Sequence, residues 1–177
     1  MAPDADRALE AAAQRLRENP PARSGTEASP MREEDPVEIN GVAHLFLTVT
    51  NVETALPFYE KLLVFLGMKP VMKSDTFLYC VGGRTAVGVQ QADAEHRDER
   101  FVQRRVGLHH VCFRARERDD VDRVHEFVKG LGATIVHPPE AGNWAPGYYS
   151  VLFEDPDGIR LEVNFVPGKG LLAEKQE

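Results

Sequence analysis

Cysteine is scarce in this chain: two in 177 residues, Cys80 and Cys112, at no spacing that suggests a disulfide framework or a CxxC pair. Both read as reduced thiols packed as small core hydrophobes. No run approaches 18 consecutive apolar residues, which excludes a membrane-spanning helix, and the N-terminus lacks the apolar centre of a secretory signal. Positive charge is also short, with 21 Lys and Arg against 28 Asp and Glu and a formal net charge of −7. That balance disfavours a nucleic-acid groove or a polybasic membrane surface, since both need clustered cations. The expectation is a cytoplasmic protein with small-molecule or protein partners, no nucleic acid and no membrane.

Apolar side chains make up 42% of the residues, enough at this length for one well-buried domain. They are unevenly spread. In residues 1–38, "PDADRALEAAAQRLREN" has only a thin helical stripe of Leu9, Ala12, Ala13 and Leu16, and "PPARSGTEASPMREEDP" is too polar to offset its ordering entropy. This part reads as a helical and disordered extension. Residues 39–168 read as a single folded domain, and 169–177 as a C-terminal tail.

The folded part repeats itself. "GVAHLFLTV" at 41–49 matches "GLHHVCFRA" at 107–115 in its glycine, histidine and apolar positions. A helical stretch ending in Leu-Gly follows each, "NVETALPFYEKLLVFLG" and "RDDVDRVHEFVKGLG". The first carries capping-box spacing from Thr50 to Glu53, with Pro57 expected to delay the regular helix. The second sets Val121, Val124, Phe127, Val128 and Leu131 on one face. Three strand-like runs then follow in each copy, 68–72, 76–81 and 84–90, and 133–136, 148–154 and 159–166. His44 and His110 are 66 residues apart (44 to 110), and Gly67 and Gly132 are 65 apart (67 to 132). The reading is α+β: two tandem βαβββ modules, about 41–90 and 107–166, forming a curved mixed sheet of eight strands around a central site, helices on the convex side.

Strand alternation selects the inner face. It groups His44 with Phe46 and Thr48, and His110 with Leu108, Cys112 and Arg114, and it sends His109 the other way. On "GIRLEVNF" the apolar set Ile159, Leu161, Val163 and Phe165 suits the helix side, which leaves Arg160, Glu162 and Asn164 inside. Two imidazoles and a carboxylate, His44, His110 and Glu162, make a 2-His-1-carboxylate set that holds one divalent metal and leaves open positions. Iron, manganese, cobalt, nickel and zinc all suit it. His96, His125 and His137 sit among charges or beside prolines and read as surface residues.

These segments, and above all "YYSVLFEDPDGIRLEVNF", resemble the vicinal-oxygen-chelate superfamily, which includes glyoxalase I, extradiol dioxygenases, fosfomycin-resistance proteins and bleomycin-binding proteins. The resemblance covers 41–168 and implies metal ligands at His44, His110 and Glu162. It also implies a glyoxalase-type enzyme that chelates vicinal oxygens and stabilises an enolate-like intermediate, in lyase, isomerase or group-transfer chemistry. A homodimer whose halves swap between chains is a further implication. The alternatives are a metal-free drug-sequestering protein of the bleomycin-resistance type and an Fe(II) extradiol dioxygenase. Gly88 stands where glyoxalase I carries a fourth ligand, with Gln90 on the same face. Leu152 stands where the dioxygenases carry a tyrosine. Glu162 is the candidate ligand and proton acceptor and Tyr148 the candidate hydrogen-bond donor to substrate. Arg114, Ser150 and Asn164 are candidate substrate contacts alongside Gln90. In "PPEAGNWAPG", 138–147, Trp144 is a candidate lid residue.

Overall fold

Side-chain alternation is clearest in β1 (His44–Val49): Leu47 and Val49 are buried, whereas His44, Phe46 and Thr48 stay open to solvent. These coordinates are a computed structural model, which describes residue 39 and residues 41–170. The expected N-terminal extension, and residues 171–177 of the expected tail, lie outside them. Helix α1 (Val52–Phe65) packs Leu56, Tyr59, Leu62 and Leu63 into the core. Strand β3 (Phe77–Gly82) is antiparallel to both β2 (Lys69–Lys73) and β4 (Thr85–Gln91), and β4 returns parallel to β1. The second module repeats the plan with β5 (Val111–Arg114), α2 (Arg118–Gly130), β6 (Thr134–Ala141), β7 (Tyr149–Glu154) and β8 (Arg160–Phe165). The strand orders correspond, β1-β4-β3-β2 and β5-β8-β7-β6. All eight expected strands are present in an α+β fold of two βαβββ modules, divided between two four-stranded sheets.

Both helices stop the same way, because Leu-Gly supplies the same geometry twice. Gly67 and Gly132 take φ of 82° and 79°, the left-handed region that glycine enters without steric cost. The Met68 amide then bonds the Leu63 carbonyl at 2.9 Å and the Ala133 amide bonds Val128 at 3.0 Å. Each is a Schellman closure that satisfies otherwise unpaired carbonyls.

Several expected boundaries shift. Helix α1 begins at Val52, not near Pro57, because Asn51 caps it by accepting the Glu53 amide at 2.9 Å. Pro57 is held inside the helix, whose packed face outweighs the lost hydrogen bond. Strand β6 runs through Pro138 and Pro139 to Ala141, so the expected loop of 138–147 starts only at Gly142. The prolines are tolerated because β6 is an edge strand, and its pairing to β7 is irregular there. Cys80 is buried as expected, but Cys112 is exposed, because its strand turns that side away from the core.

The modules share one core, and polar and aromatic contacts join them. Phe65 and Phe127 stack with centroids 3.9 Å apart. The Thr50 amide bonds the Asp157 carboxylate at 2.7 Å, and the Thr50 hydroxyl bonds it as well. The Tyr59 hydroxyl donates to Asp155 Oδ2 at 2.7 Å, while Asp155 Oδ1 accepts the amides of Asp157 and Ile159 at 2.9 and 2.7 Å. Burial pushes the Asp155 carboxyl up to about 6, against these hydrogen bonds, which pull it down.

A carboxyl raised in the folded state stabilises the fold fully below its unfolded pKa near 3.8, and that contribution is lost as pH rises through about 6. Urea titrations across pH 4–7 are expected to show this fall, and Asp155→Asn to flatten it. Asp155→Ala leaves the Tyr59 hydroxyl and two amides without their acceptor and is expected to cost about 2–3 kcal/mol.

Candidate metal centre

The two modules match in strand order and pairing, so residues can be compared position by position through their ladders. In the first, Phe46 lies opposite Gly88 and Tyr79 pairs with Gly88 from the other side. In the second, Cys112 lies opposite Glu162 and Leu152 pairs with Glu162. Gly88 is therefore the counterpart of Glu162, as the repeat implied. The Phe46 ring occupies the space above it: a Cβ on Gly88 would sit 2.3 Å from Phe46 Cε1.

Glu162 is buried on β8 between Leu161 and Val163. Its Oε2 lies 3.1 Å from His110 Nε2, and its Oε1 accepts the Tyr148 hydroxyl at 2.5 Å. Burial, and then the bond to Glu162, push the Tyr148 hydroxyl up to about 12, so it remains a donor at neutral pH. Loss of water around the Cys112 sulfur, and then the Glu162 charge, hold that thiol neutral, also at about 12. Ser150 is buried and pairs in register with Asn164, whose side chain reaches the Tyr148 hydroxyl. These residues line one patch on the open side of the second sheet.

His109 departs from the sequence expectation. His110 precedes β5 instead of lying within it, so strand alternation does not separate the two rings. They meet edge to face, with Nδ1 of one 2.7 Å from Nδ1 of the other. Gln103 Oε1 accepts from Arg160, and its amide nitrogen lies 3.2 Å from His109 Nδ1. An imidazole nitrogen and a carboxylate oxygen 3.1 Å apart form an ion pair when the ring is protonated, and with the ring neutral they are a donor pair for a divalent metal.

The remaining candidates are spread out. Among the described residues no three His, Cys, Asp or Glu side chains converge as a metal site, so His44 does not join His110 and Glu162 within one chain. His44 stands on the first module's open face, its ring against Phe46 at 5.5 Å. Gln90 is on that face too, donating to Thr48 at 3.4 Å. Arg114 is exposed on the second module. Arg160 is engaged by Glu154 at 3.1 Å and by Gln103. Trp144 is 78% exposed. His96 is exposed beside Glu99, whereas His125, expected on the surface, is half-buried beside Glu126.

A family model described as the Glyoxalase/Bleomycin resistance protein/Dioxygenase superfamily matches residues 41–163. The chain belongs to this superfamily. Among its relatives is the metallothiol transferase FosB of Shouchella clausii, 28% identical over 137 residues that cover 77% of this chain and 85% of that one. The uncharacterized protein YqjT of Bacillus subtilis is 29% identical over 68% of this chain and 94% of its own length. A solved glyoxalase-type structure from Bacillus halodurans matches with a TM-score of 0.64 at 26% identity, covering 72% of this chain and 96% of that one. The superfamily fold thus accounts for both modules. No helix among the described residues is long and apolar enough to cross a membrane.

Sequence reasoning missed Gln103 and His109, because their role depends on a loop that no periodicity describes. Only the doublet "HH" hinted at it. It also left Phe46 as a mere inward residue, although its position over Gly88 decides what that half of the site can hold. Gly88→Ala is expected to lower stability by about 1–2 kcal/mol, through overpacking against the Phe46 ring. The cost is expected to shrink when Phe46→Ala is combined with it, which a double-mutant cycle by chemical denaturation measures.

Proposed function

We propose that this chain is a divalent-metal-dependent enzyme of the glyoxalase type, with one metal per chain held by His44, His110 and Glu162. The observation that carries the reading is His110 Nε2 set 3.1 Å from the buried Glu162 carboxylate, an imidazole nitrogen and a carboxylate oxygen side by side at the open face of the second sheet. His44 is the third ligand, supplied by a second copy of the chain in a homodimer. Supporting this, His44 holds the position equivalent to His110 and does not meet it within one chain.

A divalent metal there would supply a Lewis acid for two vicinal oxygens of a small substrate. Glu162 would accept a proton from the substrate, and the Tyr148 hydroxyl, whose one hydrogen goes to Glu162 in this structure, would then turn to a substrate oxygen. Ser150, Asn164, Arg114 and Gln90 orient the polar parts of the substrate, and Trp144 covers the bound molecule. With Gly88 beneath the Phe46 ring, the donor set stops at three protein ligands. That, with the metallothiol transferase among the relatives, favours group transfer over isomerisation at a four-ligand site. Leu152 in the tyrosine position speaks against ring cleavage. The site suits a small metabolite or drug in the cytoplasm.

The test is metal analysis of the purified dimer. Wild type is expected to retain one divalent metal per chain, and His44→Ala, His110→Ala and Glu162→Ala each to lose it. A wild type that takes up no metal would contradict the reading and favour sequestration without turnover. His109→Phe removes the hydrogen-bond partner of His110 Nδ1 and is expected to weaken metal binding about 10–100-fold in chelator competition. His109→Asn, which keeps an acceptor, is expected to restore most of it.

A further inference from the structure

The duplication makes an internal control possible. At positions made equivalent by the ladders, the second module carries Cys112, Ser150, Leu152 and Glu162 where the first carries Phe46, Phe77, Tyr79 and Gly88. One half has two polar groups, a thiol and one leucine; the other has three rings and a glycine.

Those rings form a continuous surface. Phe46 and Phe77 stack at 6.1 Å, Phe46 and Tyr79 lie 5.7 Å apart, and Phe77 and Tyr79 stack at 6.3 Å with planes 7° apart. His44 touches the edge of this surface through Phe46. Phe77 is buried and acts as the base, whereas Phe46 is 39% exposed and Tyr79 is half-buried, so both present ring area outward. The surface exists because residue 88 is glycine: any side chain there would displace Phe46. Thr48 and Gln90 border it with polar groups.

We propose that this aromatic wall is a specificity subsite for a flat apolar group, an aryl or similarly planar substituent, on a substrate whose vicinal oxygens are directed at His110, Glu162 and Tyr148. This rests on the metal reading above, because His44 is what brings the wall to the metal. The halves then have different tasks: the second binds and polarises the oxygens, and the first holds the hydrocarbon. A planar ring lies against Phe46 and Tyr79 with offset stacking, whereas a methyl group in its place leaves most of their area in water.

Two probes with one chelating group and different substituents test it: benzohydroxamate and acetohydroxamate, titrated calorimetrically into the metal-loaded dimer. Wild type is expected to prefer benzohydroxamate by about tenfold or more, the size of a stacked aromatic contact plus the buried ring area. Phe46→Leu and Tyr79→Leu, on different strands, are each expected to cut that preference by about threefold or more, with metal content and acetohydroxamate affinity retained. Equal affinity for the two probes, or a preference unchanged in both variants, would overturn the proposal. So would loss of the dimer in both variants with no change in preference, since the wall would then be covered by the second copy. Binding of both probes to metal-stripped protein as tightly as to loaded protein would instead overturn the metal reading itself.

Discussion

A carboxylate buried in a sheet is the constraint on which the rest of this molecule turns. Glu162 lies between two buried apolar residues on β8, in contact with one tyrosine hydroxyl and one imidazole. A charge in such a place is costly unless it is paired and hydrogen-bonded. Among the described residues its ion partner is His110 alone. Tyr148 satisfies one oxygen of the carboxylate, and the other faces His110. The local sequence is arranged around this requirement: Gly158 allows the turn into β8, Asp155 closes that turn with two amides, and the turn's second aspartate, Asp157, ties back to Thr50 at the end of β1.

Duplication explains how one chain supplies two open faces of different chemistry. Each module leaves one sheet face uncovered because its single helix covers only the other. On that uncovered face the two copies have diverged at matched positions, with Glu162 answered by Gly88 and Ser150 by Phe77. The loss of a side chain at Gly88 and the presence of a ring at Phe46 are one change seen from two strands. The same intrachain contacts that join the modules, Phe65 on Phe127 and Tyr59 on Asp155, involve the helices and the β7–β8 turn. They leave both open faces available to a second copy.

Much of this was legible in the residues alone. The modules, the helix stops at Gly67 and Gly132, the inner-face alternation of β1 and β8, and the pairing of Gly88 with Glu162 all follow from local period and repeat spacing. What was not legible depends on contacts distant in sequence or on irregular backbone. Asp155 and Asp157 read as turn formers, and nothing nearby announces that their carboxylates hold Tyr59 and Thr50 some hundred residues away. Alternation failed at His109 because it presumes a strand, and the strand starts at Val111. Pro57 read as a helix boundary, but Asn51 and the buried face of α1 overrode it. Helix packing is a tertiary effect that propensity does not carry.

The central claim is that a single site is built from His44 of one chain and His110 with Glu162 of another. Subunit complementation tests it directly. His44→Ala and His110→Ala chains are each expected to be metal-free as homodimers. If they are unfolded together and refolded in equal amounts, half the dimers are mixed, and each mixed dimer holds one intact site of two. The account predicts recovery of about a quarter of the wild-type metal content. No recovery in mixed dimers, with wild type still binding metal, would contradict it.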